Sequence, residues 1–200
     1  MDDIPSLQHP GFLARSSRSV LRVLGWRLCL TPPPGRQAVV AVYPHTSNWD
    51  FPLGLLTRWG MGLKARWAGK DTLFAGPAGA VFRALGGIPV NRRERTGLVG
   101  ALAALFREEE ALFLAIAPEG TRSHVDHWKS GFYRVAVEAG VPIGLGFLDY
   151  GRRECGVTVW LEPTGDEAAD LAAIRAFYAD KRGLHPENQG EIRFKPAQRP

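Results

Sequence analysis

The order of short apolar runs and helix-like segments constrains the fold of this chain most. Residues 111–117 form one uninterrupted apolar run, and residues 38–43 form another. Strands that are buried on both faces of a parallel sheet have sequences of this kind. Between the runs, apolar residues recur every three or four positions, as they do on one face of a helix. The alternation predicts an α/β domain with a mixed, mostly parallel central sheet flanked by helices.

The same patterns give the extent of each element. We predict strands over residues 38–43, 63–68, 88–90, 111–117, 143–148 and 156–161. We predict helices over residues 51–59, 77–85, 96–110, 130–139 and 166–182. The last helix begins with acidic residues and ends with basic ones, which suits the helix dipole at both ends. A chain of 200 residues fits one domain of ordinary size.

The N-terminal region predicts an amphipathic, basic helix over residues 12–30. Its apolar residues gather on one side of a helical wheel, and Arg15, Arg18 and Arg22 gather on another. Such a helix either packs its apolar stripe on the core or attaches to an anionic membrane surface. Three prolines then end it. We therefore divide the chain into an N-terminal amphipathic segment (1–34), an α/β domain (35–185) and a polar, irregular tail (186–200).

Charge and cysteine content narrow the class of protein. The net charge is +5 and the isoelectric point is about 9.6, so polyanions are the expected partners. The arginines are scattered among acidic residues without a recognised nucleic-acid motif, which argues against DNA or RNA. Two cysteines in no metal-ligand or disulfide pattern fit a reducing cytosol. Neither a signal peptide nor an apolar run of ~18 residues is present, so we expect a cytoplasmic protein with at most peripheral membrane contact.

A histidine and an aspartate follow the first predicted strand. His45 lies directly after that strand, and Asp50 stands five residues later, at the start of a helix. Open α/β sheets bind ligands at the carboxyl ends of their strands. A carboxylate on one ring nitrogen fixes the tautomer and supports the imidazolium that forms when the other nitrogen takes a proton. The pair is suited to act as a general base and its orienting group, although purely structural pairs also have this spacing.

A second polar cluster follows the strand over residues 111–117, at the same edge of the predicted sheet. Gly120 allows the backbone to approach a ligand closely, and Arg122 offers a planar fork suited to phosphate. Glu119 is able to accept a hydrogen bond from a hydroxyl group or to hold the arginine. The alternative interpretation is a surface turn with a local ion pair.

Two further clusters of polar residues indicate a function less specifically. Residues 86–93 combine a glycine pair, a short strand and consecutive arginines, which suits either a phosphate contact or a basic turn. His124, Asp126 and His127 lie close together but lack the spacing of a recognised zinc site. We therefore expect neither a metal nor a cofactor.

Taken together, the clusters resemble the ordered motifs of the glycerolipid acyltransferase family, which belongs to the lysophospholipid acyltransferase superfamily. The three matching segments are HTSNWD at 45–50, GGIPVNR at 86–92 and PEGTR at 118–122. Two weaker matches are WKSG at 128–131, similar to a Lys-x-Gly segment, and VPIG at 141–144, similar to the fourth motif of the family. Pro44 and Ala117 stand where the family usually has asparagine and phenylalanine, which leaves the identity of the acceptor open.

The resemblance implies a fold like that of glycerol-3-phosphate acyltransferases and transfer of a fatty acyl group to a glycerolipid hydroxyl. The donor would be acyl-CoA or acyl-carrier protein, and the acceptor a lipid such as 1-acylglycerol-3-phosphate. In the His-x-x-x-x-Asp motif, His45 would be the general base and Asp50 would orient it. The residues implied in substrate binding are Arg92, Glu119, Gly120, Thr121, Arg122 and Lys129. The N-terminal helix would hold the protein on the anionic inner face of the cell membrane.

Two other functions fit the same residues. In an acyl-thioester hydrolase, the pair of His45 and Asp50 would activate water instead of an acceptor hydroxyl. A non-catalytic lipid-binding membrane protein would keep the fold without turnover, but a binding protein has no need of a base. The predicted histidine–aspartate pair therefore favours an enzyme.

Overall fold

One mixed sheet forms the centre of the molecule. The computed structural model describes residues 11–91 and 97–195. Its strands are β1 (Arg27–Leu30), β2 (Gln37–Val42), β3 (Ala65–Lys70), β4 (Gly87–Val90), β5 (Leu112–Ile116), β6 (Ile143–Asp149) and β7 (Glu154–Leu161). They lie in the order β1-β7-β6-β2-β5-β3-β4, and every neighbouring pair is parallel except β6 and β7. The predicted mixed, mostly parallel sheet is confirmed.

Helices lie on both faces of this sheet. They are α1 (Phe12–Val23), α2 (Asp50–Met61), α3 (Ala78–Ala84), α4 (Leu98–Glu108), α5 (Gly131–Ala139) and α6 (Glu167–Tyr178), with 3-10 turns at Asp71–Phe74 and Pro186–Asn188. Helices α4, α5 and α6 cover one face, and α1 packs on α2 over the other. Within the described part of the chain, no helix has the length and apolar character needed to span a membrane.

Strand β2 separates two apolar cores. Successive side chains of a strand point to opposite faces of the sheet. Val39 therefore joins the cluster that contains Phe132 of α5, whereas Val40 joins the cluster that contains Met61 of α2. Because both faces of this strand are covered, its sequence is an unbroken apolar run and does not alternate.

The predicted N-terminal helix is too long. It was expected over residues 12–30, but α1 ends at Val23, and Gly25 takes a left-handed conformation with φ of 76°. Residues 27–30 then form β1 beside β7. A Cβ atom on Gly156 of β7 would lie 1.8 Å from the Cys29 carbonyl oxygen, so the absence of a side chain there admits the strand. Part of the segment predicted as an anchor therefore belongs to the sheet.

The C-terminal segment has little regular structure, as predicted for the tail, but its described residues are bound to the domain. We name residues 183–194 the C-terminal strap. Within it, the Arg193 carbonyl oxygen accepts a hydrogen bond from the Trp128 amide, and the Phe194 ring packs 5.9 Å from that of Phe132. These contacts replace the solvent that a polar tail would have around it. The strap runs beside the end of β2, where the candidate site lies.

Candidate active site

Asp50 folds the loop after β2 back onto itself and holds His45. The Oδ2 atom of Asp50 lies 3.3 Å from the Nδ1 atom of His45. The same oxygen accepts hydrogen bonds of 2.8 Å from the backbone amides of Thr46 and Ser47. An aspartate at the first position of a helix commonly binds the preceding loop in this way. The structure thus brings together the two residues predicted as a base and its orienting group.

Tyr150 completes the contacts of Asp50. Its hydroxyl group donates a 2.8 Å hydrogen bond to the Oδ1 atom of Asp50. The tyrosine lies in the turn between β6 and β7, 100 residues away in the chain, and packs edge-on against Trp26 at 4.9 Å. Nothing in its local sequence marks it as a functional residue, and the sequence analysis missed it.

The hydrogen bonds around Asp50 outweigh the effect of its burial. Burial alone would raise the pKa of this carboxyl group, because a charged form is poorly solvated inside a protein. The bonds from His45, the Ser47 amide and Tyr150 lower the pKa below its usual value. Asp50 is therefore a carboxylate at neutral pH and stabilises positive charge on the neighbouring ring.

One of the two ring nitrogens of His45 is accessible to a substrate. Because Nδ1 faces Asp50, Nε2 is the nitrogen available to a substrate. The side chain is 20% exposed and lines a cavity. A ring held in this way is suited to take a proton from a hydroxyl group and to return it to a leaving group.

Glu119 is buried beneath the loop that carries His45. Its exposed fraction is 1%. Its Oε2 atom accepts a 2.7 Å hydrogen bond from the His45 amide, and its Oε1 atom accepts one of 2.8 Å from the Gly190 amide. Burial raises the pKa of this carboxyl group to about 7, against the opposing effect of both amides. The predicted contact of Glu119 with a substrate has no support in this geometry.

The other residues of the third motif lie beside the same loop. The Nε atom of Arg122 donates a 3.1 Å hydrogen bond to the Ser47 carbonyl oxygen. Gly120 has φ of 67°, and a Cβ atom there would lie 2.6 Å from the Nζ atom of Lys129. Thr121 accepts a hydrogen bond from the amide of the second residue after it. Gly120, Thr121 and Arg122 line the same cavity as His45.

One predicted site residue and one rejected site need separate mention. Arg92, predicted to bind phosphate, lies outside the described residues. His124 and Asp126 are exposed side chains 3.8 Å apart. Over residues 11–91 and 97–195, no cluster of three or more histidine, cysteine or acidic side chains is placed to bind a metal.

The cavity beside His45 has a volume of about 800 Å³. Its walls are mainly apolar and come chiefly from α2 and from strands β2, β3, β5, β6 and β7. Arg58 lies two turns of α2 beyond Asp50, about 12 Å along the helix axis. There Arg58 and Trp67 both donate hydrogen bonds to the Leu85 carbonyl oxygen, at 2.5 and 3.1 Å. An apolar space of this size suits an extended hydrocarbon chain with its polar end at His45.

Fold and site together define an α/β enzyme with an apolar substrate cavity at the carboxyl ends of its strands. The model of the acyltransferase family matches residues 30–144, more than half of the chain. The chain therefore belongs to the acyltransferase family, in agreement with the resemblance of its motifs, and is an acyltransferase enzyme.

A solved structure supports the same fold. It is the 1-acyl-sn-glycerophosphate (LPA) acyltransferase PlsC from Thermotoga maritima, with a TM-score of 0.56 and 18% sequence identity. The similarity covers 82% of this chain and 74% of that one. A search of curated proteins found no match. At this level of identity the likeness concerns the arrangement of helices and strands.

Proposed function

We propose that the protein transfers a fatty acyl group from a thioester donor to the hydroxyl group of a glycerophospholipid precursor. The donor is acyl-CoA or acyl-carrier protein, and the acceptor is a lipid such as 1-acylglycerol-3-phosphate. The observation that carries the proposal is the His45–Asp50 pair, 3.3 Å apart at one end of an apolar cavity of about 800 Å³. A base beside a space for a hydrocarbon chain is what acyl transfer requires.

His45 acts as a base and then as an acid. Its Nε2 atom takes the proton of the acceptor hydroxyl while the oxygen attacks the carbonyl carbon of the thioester, whose π electrons move to the carbonyl oxygen. When the carbonyl re-forms, the C–S bond breaks and the thiolate takes the proton from the imidazolium. The products are an ester and a thiol, without an acyl-enzyme. Asp50 stabilises the imidazolium that exists between the two proton transfers.

The acceptor binds at the loop of the third motif. Arg122 provides a guanidinium group suited to a phosphate, and it is already aligned by its bond to the Ser47 carbonyl oxygen. Gly120, Thr121 and Lys129 lie beside it, and Arg92 is proposed as a further phosphate ligand. The placement of Arg122 next to the loop of His45 supports an acceptor whose charged group and reacting hydroxyl are close together.

The protein works on the cytoplasmic membrane surface and is attached through α1. The sequence of α1 has basic but no acidic residues. Phe12 and Val23 of this helix are 79% and 87% exposed, although large apolar side chains favour burial. Exposed apolar residues beside arginines are typical of helices that lie in the interface of an anionic bilayer.

The first experiment measures thiol release from palmitoyl-CoA by the purified protein, with and without 1-acylglycerol-3-phosphate. Release that depends on the acceptor supports acyl transfer. Equal release without the acceptor identifies a hydrolase. If no thiol is released, the assay is repeated with palmitoyl-acyl-carrier protein, and failure there too contradicts the proposed activity.

The His45→Ala variant tests the base in the same assay. We expect its rate to fall on the order of 10²–10⁴-fold, the usual effect of removing a positioned base. The matched control is His127→Ala, which removes a histidine outside the site. Wild-type turnover by His45→Ala would exclude this residue as the base even if the protein transfers acyl groups.

A further inference from the structure

The backbone of His45 is held from beneath by a carboxyl group that faces away from solvent. Both oxygens of Glu119 accept hydrogen bonds from backbone amides, one from His45 at 2.7 Å and one from Gly190 at 2.8 Å. The exposed fraction of Glu119 is 1%, so its carboxyl group is closed off from solvent.

The second amide belongs to the C-terminal strap, which is fixed to the strand before His45. The Nε2 atom of Gln189 donates a 3.1 Å hydrogen bond to the hydroxyl group of Tyr43, and that hydroxyl donates one of 3.2 Å to the Gly190 carbonyl oxygen. The His185 amide donates a 3.2 Å bond to the Oγ1 atom of Thr46. The strap therefore contacts residues on both sides of His45.

We infer that Glu119 is a positioning residue that links the backbone of His45 to the C-terminal strap and does not contact the acceptor. Asp50 fixes the ring of the histidine, and Glu119 fixes its main chain, so that the two carboxyl groups have separate tasks. A reacting group that is displaced by about 1 Å loses much of its effectiveness. This inference rests on the proposed role of His45 as the base.

The Glu119→Gln variant removes one of the two hydrogen bonds that residue 119 accepts, and it changes the shape of the side chain very little. An amide side chain keeps one acceptor oxygen but points an N–H group at the other backbone amide. We expect kcat to fall about 10²-fold while the KM for the acceptor stays unchanged, because the ground-state contacts of the acceptor are intact. A higher KM for the acceptor with unchanged kcat would overturn the inference and return Glu119 to the acceptor site.

Amide hydrogen exchange gives a readout that does not depend on activity. In Glu119→Gln, peptides spanning residues 43–50 and 183–194 should both exchange faster than in the wild type. The control is Asp166→Asn, which alters another carboxyl group that accepts hydrogen bonds from two backbone amides, those of Ala168 and Ala169 at the start of α6. It should change neither these peptides nor kcat. Faster exchange confined to the neighbours of residue 119 would overturn the link.

If Glu119→Gln does not fold, a second variant tests whether the strap supports the backbone of His45. Gln189→Ala removes one of the two hydrogen bonds between the strap and Tyr43 without touching Glu119. Faster exchange over residues 43–50 together with a lower kcat supports the inference, whereas faster exchange limited to residues 183–194 with wild-type kcat overturns it. Wild-type turnover by His45→Ala would refute the role of the base, and the exchange data would still decide whether the link exists.

Discussion

Asp50 accepts hydrogen bonds from four groups, and Tyr150 is the one among them that belongs to a distant part of the chain. The bond from Tyr150 helps to keep the carboxylate ionised and its charge partly neutralised. Without it, the pKa of Asp50 rises, so the carboxylate that orients the base becomes protonated, and its support is lost, at a higher pH. We expect the acid limb of the kcat/KM profile of Tyr150→Phe to move to higher pH.

Tyr133 provides a matched control for the Tyr150→Phe variant. Tyr133 donates a 2.7 Å hydrogen bond to Asp170, away from the site. The Tyr133→Phe variant loses a similar bond, so its stability should fall by about 1 kcal/mol while its pH profile keeps the wild-type acid limb. An identical profile for Tyr150→Phe would show that its bond does not influence the base.

Glu119 should make stability depend on pH. Its pKa is about 7 in the folded protein and about 4.5 when unfolded. Between these values the folded state holds a proton that the unfolded state has lost, so the free energy of unfolding falls as pH rises through this window. The decrease amounts to about 3 kcal/mol. Urea unfolding at pH 5 and pH 7.5 should show it in the wild type, and a decrease of equal size in Glu119→Gln would contradict it.

Single residues were predictable where they follow a strong local pattern. His45, Asp50 and Arg122 lie in the segments that follow apolar strands, and the carboxyl ends of parallel strands meet at one edge of the sheet. Tyr150 and Gln189 bind partners 100 and 146 residues away, and no local pattern encodes such a contact. Both also lie beyond residue 144, where the match to the family ends.

At the scale of elements, we predict that the protein binds membranes through α1. Val23→Asp places a charge on the most exposed apolar position of this helix. Binding to anionic phospholipid vesicles should weaken at least about tenfold, because the transfer of a valine side chain out of water is lost. The control is Val137→Asp, on an exposed position of α5. Equal vesicle binding by both variants would show that α1 is not the attachment site.

The extent of most elements follows from periodicity, and β1 shows where periodicity fails. Its four residues continue the apolar pattern of α1, so the sequence alone favours a longer helix. The strand exists because Gly25 ends the helix and Gly156 leaves room on β7. Both conditions depend on tertiary packing, which overrides the weak local preference of these four residues for a helix.

At the scale of the whole molecule, the cavity between α2 and the sheet should set the length of the acyl chain. Gly54 lines this cavity, and a Cβ atom there would have no neighbour within 4 Å. Gly54→Leu therefore adds a side chain to the cavity wall at a position where its Cβ atom has room. We expect kcat/KM for long-chain donors to fall at least about tenfold relative to short-chain donors, since each methylene in an apolar pocket has a substantial effect.

The control for the cavity variant is Gly35→Leu, at a half-buried position outside the cavity that also has no neighbour within 4 Å. It adds the same side chain outside the cavity and should leave the preference for chain length unchanged. A Gly54→Leu enzyme with wild-type preference would mean that the acyl chain lies elsewhere.

The path of the C-terminal strap has a consequence for synthesis on the ribosome. Tyr43 and Gly190 are bonded partners, yet 147 residues separate them in the chain. At roughly 5–20 residues per second, the loop of His45 emerges about 7 to 30 s before the segment that supports it. A growing chain thus passes through a period in which the histidine and its aspartate exist but their support does not. From the inferred role of the strap, we expect activity to appear only after the chain has been made as far as the strap.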